Sequence, residues 1–240
     1  MAASSSPLHV LISGGFAGAY DQLVPEFARQ SGIEVTTGSG ASQGNGPHTI
    51  AAQLARGVGA DVVILSREGL TELIAADRIA AGTGVDLARV GLGVAVRAGG
   101  EKPDVSGVDA VRQVLLTART IAIPGSTSGI WLKDELFPRL RIADRIDARM
   151  TPRGSDAAAM VAAGAAPLAV MPVSEILAAP GVDFAGAFPS EIQMMQVFAA
   201  AVVAGSSAIE EARRLIAFLA SPPAAEAIRR SGMEPIGTST

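Results

Sequence analysis

"TIAIPGSTSGIW", residues 120–131, joins a short apolar run to a glycine- and serine-rich patch, then passes without a spacer to the apolar positions Trp131, Leu132 and Leu136. A strand-like run, a patch of small residues and a helical period in that order describe a βα turn. At the start of such a helix the first N–H groups lack intrahelical acceptors and the helix dipole is positive, so the turn suits an anion. Ser126, Thr127 and Ser128 are its candidate donors; the alternative is a plain capped turn.

The same pattern recurs upstream. "LHVLISGGFAG" (8–18) is a strand, a glycine pair and the start of a helix over about 17–30, which Gly32 closes as C-cap. "IEVTTGSGASQGNG" (33–46) is a second strand entering a second small-residue patch. Further strands are expected at "ADVVIL" (60–65), "APLAVMP" (166–172), "VDFAG" (182–186) and "MQVFAAAVVAG" (195–205), and "RVGLGVAVRAG" (89–99) reads as one strand. Helices are expected over 108–118, 129–136 and 207–221, the last with Ile209, Ala212, Leu215, Ile216 and Leu219 on one face. Alternating strands and helices make this an α/β chain with largely parallel strands, arranged as two lobes rather than two sequential domains.

Composition narrows the chemistry. Of 240 residues, 19 are basic and 23 acidic, without a basic block or an aromatic–basic alternation, which argues against nucleic acid as partner. The absence of cysteine excludes disulfides, thiolate metal sites and thiol nucleophiles. The apolar stretch "VFAAAVVAGSSA" is too short for a membrane span. "MAASSSP" has neither a basic segment nor an apolar one, so the expectation is a periplasmic protein if an export signal has been removed and a cytoplasmic one otherwise.

Nucleotide and nucleophile signatures are missing: no G-x-G-x-x-G, no phosphate-binding loop with lysine, no G-x-S-x-G. No cofactor is expected. Of the two histidines, His9 reads as structural and His48 as a first-turn residue after "GNGP"; neither has carboxylates at ligand spacing, so no metal is expected. Four charged residues follow strands: Arg67, Glu68, Arg153 and Glu175. A guanidinium beside helix starts matches the fork of a carboxylate, which makes Arg67 and Arg153 candidates for ligand contact, with a surface role as the alternative. Glu68 reads as a surface residue.

These landmarks, above all "GADVVIL" and "FLASPPAAEAIRRSGMEP" (218–235), resemble the type II periplasmic solute-binding proteins, in the branch of the molybdate-binding proteins. The likeness spans nearly the whole chain. It implies a first lobe of 7–90 plus 201–240, an inserted second lobe of 91–200, two crossing hinge strands, and a ligand cleft between the lobes. By position it places Ser13, Gly14, Gly15 and Phe16, then Ser39, Gly40, Ala41 and Ser42, in the first lobe's share of the pocket. Ser126, Thr127, Ser128 and Ser174 form the second lobe's share. Implied function is capture of a small anion or carboxylate for an ABC-type permease, by a monomer.

The first turn departs from the molybdate binders: "SGGFAG" replaces an Ala-Ala-Ser-Leu-type turn, and Arg67 stands where they carry an acidic residue. Bulky Phe16 and cationic Arg67 point to a larger, carboxylated ligand. "SGIWL", "PVSEI" and "FPSEIQ" resemble the aconitate isomerase-like subset of the branch. That alternative implies a cofactor-independent isomerase that moves or re-faces a double bond, with His48 or Glu175 as base and Arg67, Arg153 and the 126–129 N–H groups holding carboxylates.

Overall fold

A computed structural model describes residues 6–236. Met1–Ser5, most of the "MAASSSP" stretch on which the expectation about an export signal rests, and the last four residues of the expected first lobe lie outside the described residues.

In chain order the strands are β1 (Leu8–Ile12), β2 (Val35–Ser39), β3 (Val62–Ser66), β4 (Val85–Val90), β5 (Leu92–Arg97), β6 (Thr120–Pro124), β7 (Asp147–Thr151), β8 (Leu168–Pro172), β9 (Val182–Ala187), β10 (Gln196–Val202) and β11 (Glu234–Pro235). The α-helices are α1 (Gly14–Ser31), α2 (Ile50–Ala55), α3 (Arg67–Ala75), α4 (Val108–Ala118), α5 (Thr127–Trp131), α6 (Phe137–Arg139), α7 (Gly154–Ala162), α8 (Val173–Ala178), α9 (Ile209–Leu219) and α10 (Ala225–Arg230). No helix among the described residues is long and apolar enough to cross a membrane.

The chain forms an α/β structure of two compact units, as the strand–helix alternation predicts. Unit 1 takes the chain up to Arg89 and again from Val197; unit 2 is the continuous stretch Val90–Gln196. The return falls at 196/197, because Phe198–Val202 is already paired antiparallel with Ser66–Val62 in the sheet of unit 1.

The sheet of unit 1 has the order β11-β4-β10-β3-β1-β2. Parallel pairing of β1 with both β2 and β3 sets Ile12 beside Ser39 and Ile64, so three strands end at one edge. One face, with Leu11, Val63, Leu65, Ala199 and Ala201, is covered by Ile50, Leu54, Leu70 and Leu73 of α2 and α3. α1 buries Phe16, Ala19, Tyr20, Leu23 and Phe27, a 3.6-residue stripe, and packs against α9 and α10. Phe27 and Phe218 meet with ring centroids 5.6 Å apart. Gly32 ends α1 at φ 70°, its N–H donating to Ala28 O at 2.9 Å.

Unit 2 carries the order β7-β6-β8-β5-β9, with β6 parallel to β7 and β8 and with β5 antiparallel to β8 and β9. Its period-2 alternation sorts side chains by size. Val94, Ile121, Ile123, Leu168 and Val170 face Leu132, Leu136 and Phe137. On the other face Ala95, Ala122 and Ala169 meet Ala157, Ala158 and Val161 of α7, small residues that bring that helix close to the sheet.

Two expectations are corrected. The stretch 89–99 is not one strand: β4 and β5 are separated at Gly91, over which the Gln193 amide packs so closely that a Cβ would lie 2.8 Å from its Nε2. Gln193 also takes the N–H of Leu92 at 2.6 Å and donates to Leu92 O at 3.0 Å, which redirects the backbone there. The helix expected over 129–136 starts at Thr127 and runs through a π-helical turn, Leu132–Leu136, into α6. The wider turn lets Leu132, Leu136 and Phe137 all be buried.

Candidate functional site

Each unit gathers its small-residue turns at the carboxyl ends of parallel strands, where α/β sheets hold ligands. In unit 1 the turns after β1, β2 and β3 lie side by side. Ser13 N–H donates to Ile64 O at 2.8 Å and Gly40 N–H to Ile12 O at 3.0 Å, which ties the three turns together. α1 begins at Gly14, earlier than the periodicity suggests, so Gly14, Gly15 and Phe16 are its first turn and Ser13 its extended N-cap. Gly15 lets the Phe198 ring pack directly on the backbone here, since a Cβ would fall 2.0 Å from it.

The candidates of unit 1 divide by what they touch. Ser13 is buried and its Oγ has no protein partner. Ser42 is buried too, but its Oγ accepts the N–H of Ser66 at 2.9 Å and so braces the start of α3. Ser66 in turn caps that helix, accepting the Gly69 N–H at 3.2 Å. Ser39 is exposed, while Gly40 and Ala41 are buried. Phe16 is fully buried, packed as part of the hydrophobic interior.

Arg67 is not a spare cation. Its Nε donates to Asp86 Oδ1 at 2.7 Å, and its Nη2 contacts the same oxygen. The pairing partner sits 19 positions downstream on β4, where no local period reveals it. His48 is exposed on the loop before α2, its backbone carbonyl accepting from Ala41 N–H at 3.0 Å. His9 is exposed on β1 with Nδ1 2.6 Å from Thr36 Oγ1, a pairing between neighbouring strands.

Unit 2 repeats the plan. Pro124 lies beside Thr151 in the β6–β7 register, and Gly125 N–H donates to Thr151 O at 2.6 Å. The Thr151 hydroxyl donates to Arg153 O at 2.7 Å and shapes the start of α7. Thr127 and Ser128 are buried in the first turn of α5; Ser126 is its extended N-cap. A Cβ on Gly129 would fall 1.6 Å from Pro124 O, so only glycine lets this helix leave its strand so sharply. Arg153, the N-cap of α7, is half exposed and reaches Asp156 at 3.3 Å.

Ser174 and Glu175 open α8. Ser174 is 5% exposed and its Oγ has no protein partner. Glu175 lies against the first residue of α7: a Cβ on Gly154 would fall 1.6 Å from Glu175 Oε2. The residue keeps a little accessible surface, but burial of its carboxyl pushes the pKa up from 4.5 to about 7. Desolvation is the whole cause, because among the described residues no cation or donor compensates it. A third buried polar atom without a partner, Gln196 Oε1, was not anticipated; it stands at the start of β10.

Comparison with known proteins agrees with this architecture. Residues 8–234 match the family model described as bacterial extracellular solute-binding protein. An aconitate isomerase from a Pseudomonas species is 37% identical over 231 residues, covering 95% of this chain and 88% of the relative. Among solved structures, the periplasmic molybdate-binding protein of Azotobacter vinelandii superposes with a TM-score of 0.71 at 22% identity, over 94% of this chain and 98% of the other. A sulfate-binding protein of Mycobacterium tuberculosis gives 0.75 at 18% identity, over 98% and 88%. At those identities the structural likenesses establish the fold. Together with the family match over nearly the whole chain, they lead to one conclusion: the chain belongs to the bacterial extracellular solute-binding protein family.

Proposed function

We propose that this protein captures a small carboxylate anion outside the cytoplasm, as a monomer, and delivers it to an ABC-type permease. The observation that carries the reading is the pair of buried hydroxyls without protein partners, Ser13 Oγ and Ser174 Oγ, each at the head of a helix that follows a strand. A buried donor left unpaired costs about 1–3 kcal/mol, and a ligand oxygen would remove that cost. Neutral hydroxyls and N–H groups suffice for an anion at such places, so the engagement of Arg67 with Asp86 is no obstacle. The relative named for aconitate favours a carboxylate over the molybdate and sulfate of the fold relatives.

One observation favours a second reading, isomerisation of an unsaturated polycarboxylate. A carboxyl with a pKa of about 7 can both take and return a proton near neutrality, as an allylic proton shift requires. Glu175 is the base in this reading; exposed His48 has no comparable setting.

A thermal-shift screen of aconitate, other di- and tricarboxylates, sulfate and molybdate tests the binding. A ligand at a hundred times its Kd should stabilise the fold by about 2.7 kcal/mol. Stabilisation by molybdate or sulfate with none by any carboxylate would sink the carboxylate reading. Proton NMR of the stabilising acids in D2O decides between the readings: deuterium incorporation with isomer conversion means catalysis, and unchanged spectra mean binding alone.

A further inference from the structure

Glu175 places a carboxyl beside the turns of unit 2 with no hydrogen-bond donor or cation against it among the described residues. The turns of unit 2 bring Gly154 at the head of α7, the unpartnered hydroxyl of Ser174 and the 125–129 turn to one sheet edge. Asp156 in the first turn of α7 is paired with Arg153, while the carboxylate of Glu175 lies directly against Gly154, where any side chain larger than hydrogen would collide with it. An anion and an ionised Glu175 would repel each other at this range in a poorly solvated place. Either the ligand brings a proton donor to Glu175, or Glu175 is itself protonated when an anion sits there.

The surroundings favour the second. Of the elements packed most closely against α8, β8 carries no charge, β5 only Arg97, β9 only Asp183, and α7 with its N-cap the mutually paired Arg153 and Asp156. Asp183 is occupied by the Gly99 N–H at 2.9 Å. Desolvation therefore acts on Glu175 uncompensated, and a neutral carboxyl is available near pH 7.

We infer that an anion bound at the unit 2 turns takes up one proton with it, shared between a ligand oxygen and the Glu175 carboxyl, so that capture is proton-coupled. The inference rests on the anion-binding reading above. The carboxyl O–H donates to the ligand, and on release at higher pH the proton returns to water, so no other reactant is needed. The site would then hold its ligand on the acid side of neutrality and let go on the alkaline side.

The experiment uses the full chain, with aconitate as the probe and sulfate as a second. Calorimetric titrations in two buffers of different ionisation enthalpy read proton uptake directly. Near pH 8 the wild-type protein should take up about one proton per aconitate, and its Kd should rise about tenfold per pH unit above 7. Glu175→Gln, a permanent neutral donor, should bind with a Kd constant within about twofold from pH 6 to 8.5 and about thirtyfold tighter than wild type at pH 8.5. If the variant does not fold, proton uptake by the wild type decides alone. Binding without proton uptake, or tighter at higher pH, would overturn the inference and leave the anion-binding reading standing. Binding of neither probe would overturn both.

Discussion

The two units follow the same plan of small-residue turns after parallel strands, with opposite electrostatics beside them. In unit 1 the charged group beside the turns, Arg67, is neutralised by Asp86, and the Ser42 hydroxyl is spent on the Ser66 N–H. In unit 2 the charged group, Glu175, has no partner among the described residues, and its state follows solvent pH. Ser13 and Ser174 are the matched elements, one open hydroxyl per unit. A closed polar network holds a fixed geometry, whereas an isolated buried acid adds a variable charge, so the turns of unit 1 are electrostatically fixed and those of unit 2 adjustable.

The contrast can be broken at several places. Gly129→Ala should be the most damaging: the new Cβ would meet the backbone oxygen of Pro124 at 1.6 Å, and neither side can yield. A loss of about 3–5 kcal/mol by urea unfolding is expected, against about 1–3 kcal/mol for Gly15→Ala, where the Phe198 ring can swing away. Equal losses would show that the start of α1 is as rigid as that of α5.

Next comes the stability of Glu175→Gln as a function of pH. The folded-state pKa of Glu175 is raised from 4.5 to about 7, so the stability its proton provides is full below about pH 4.5 and lost as pH rises through 7. Gln loses nothing over that range. The variant should match wild type near pH 4.5 and exceed it by up to about 3 kcal/mol near pH 8. A pH-independent difference would mean that Glu175 is not desolvated.

The smallest effect sharpens the comparison within unit 1. Ser42→Ala would remove the hydroxyl that accepts the buried Ser66 N–H and should cost about 1–2 kcal/mol. Ser13→Ala removes a hydroxyl that bonds nothing and should leave stability unchanged or slightly higher, while weakening aconitate binding. A Ser13→Ala protein as destabilised as Ser42→Ala would remove Ser13 from the site.

What the sequence reveals follows from the range of each interaction. The strands and the turns after them are legible because they depend on local period and on small residues at strand ends: the helix expected over 108–118 has those bounds, and the run expected at 166–172 contains β8, Leu168–Pro172. The break at Gly91 depends on Gln193, 101 positions from Leu92, and no local pattern contains it. Arg67 looked like a ligand cation for the same reason: its partner, Asp86, lies on another strand. Glu175 is marked in the sequence as a charge after a strand and, through the isomerase resemblance, as a candidate base beside His48. Its isolation and its contact with Gly154 exist only once β8 is paired in the sheet of unit 2.

The discontinuity of unit 1 bears on how the protein is made. β10, which lies next to β3, is encoded after the whole of unit 2. During synthesis from the N-terminus, Val62–Ser66, destined to be buried along its entire length, therefore presents an unfilled edge until about two hundred residues have been made. Unit 2 has no such wait, being one uninterrupted stretch. Termination just after Gln196 would thus release a finished unit 2 attached to an unfinished sheet, whose open apolar strand can pair with that of another nascent chain.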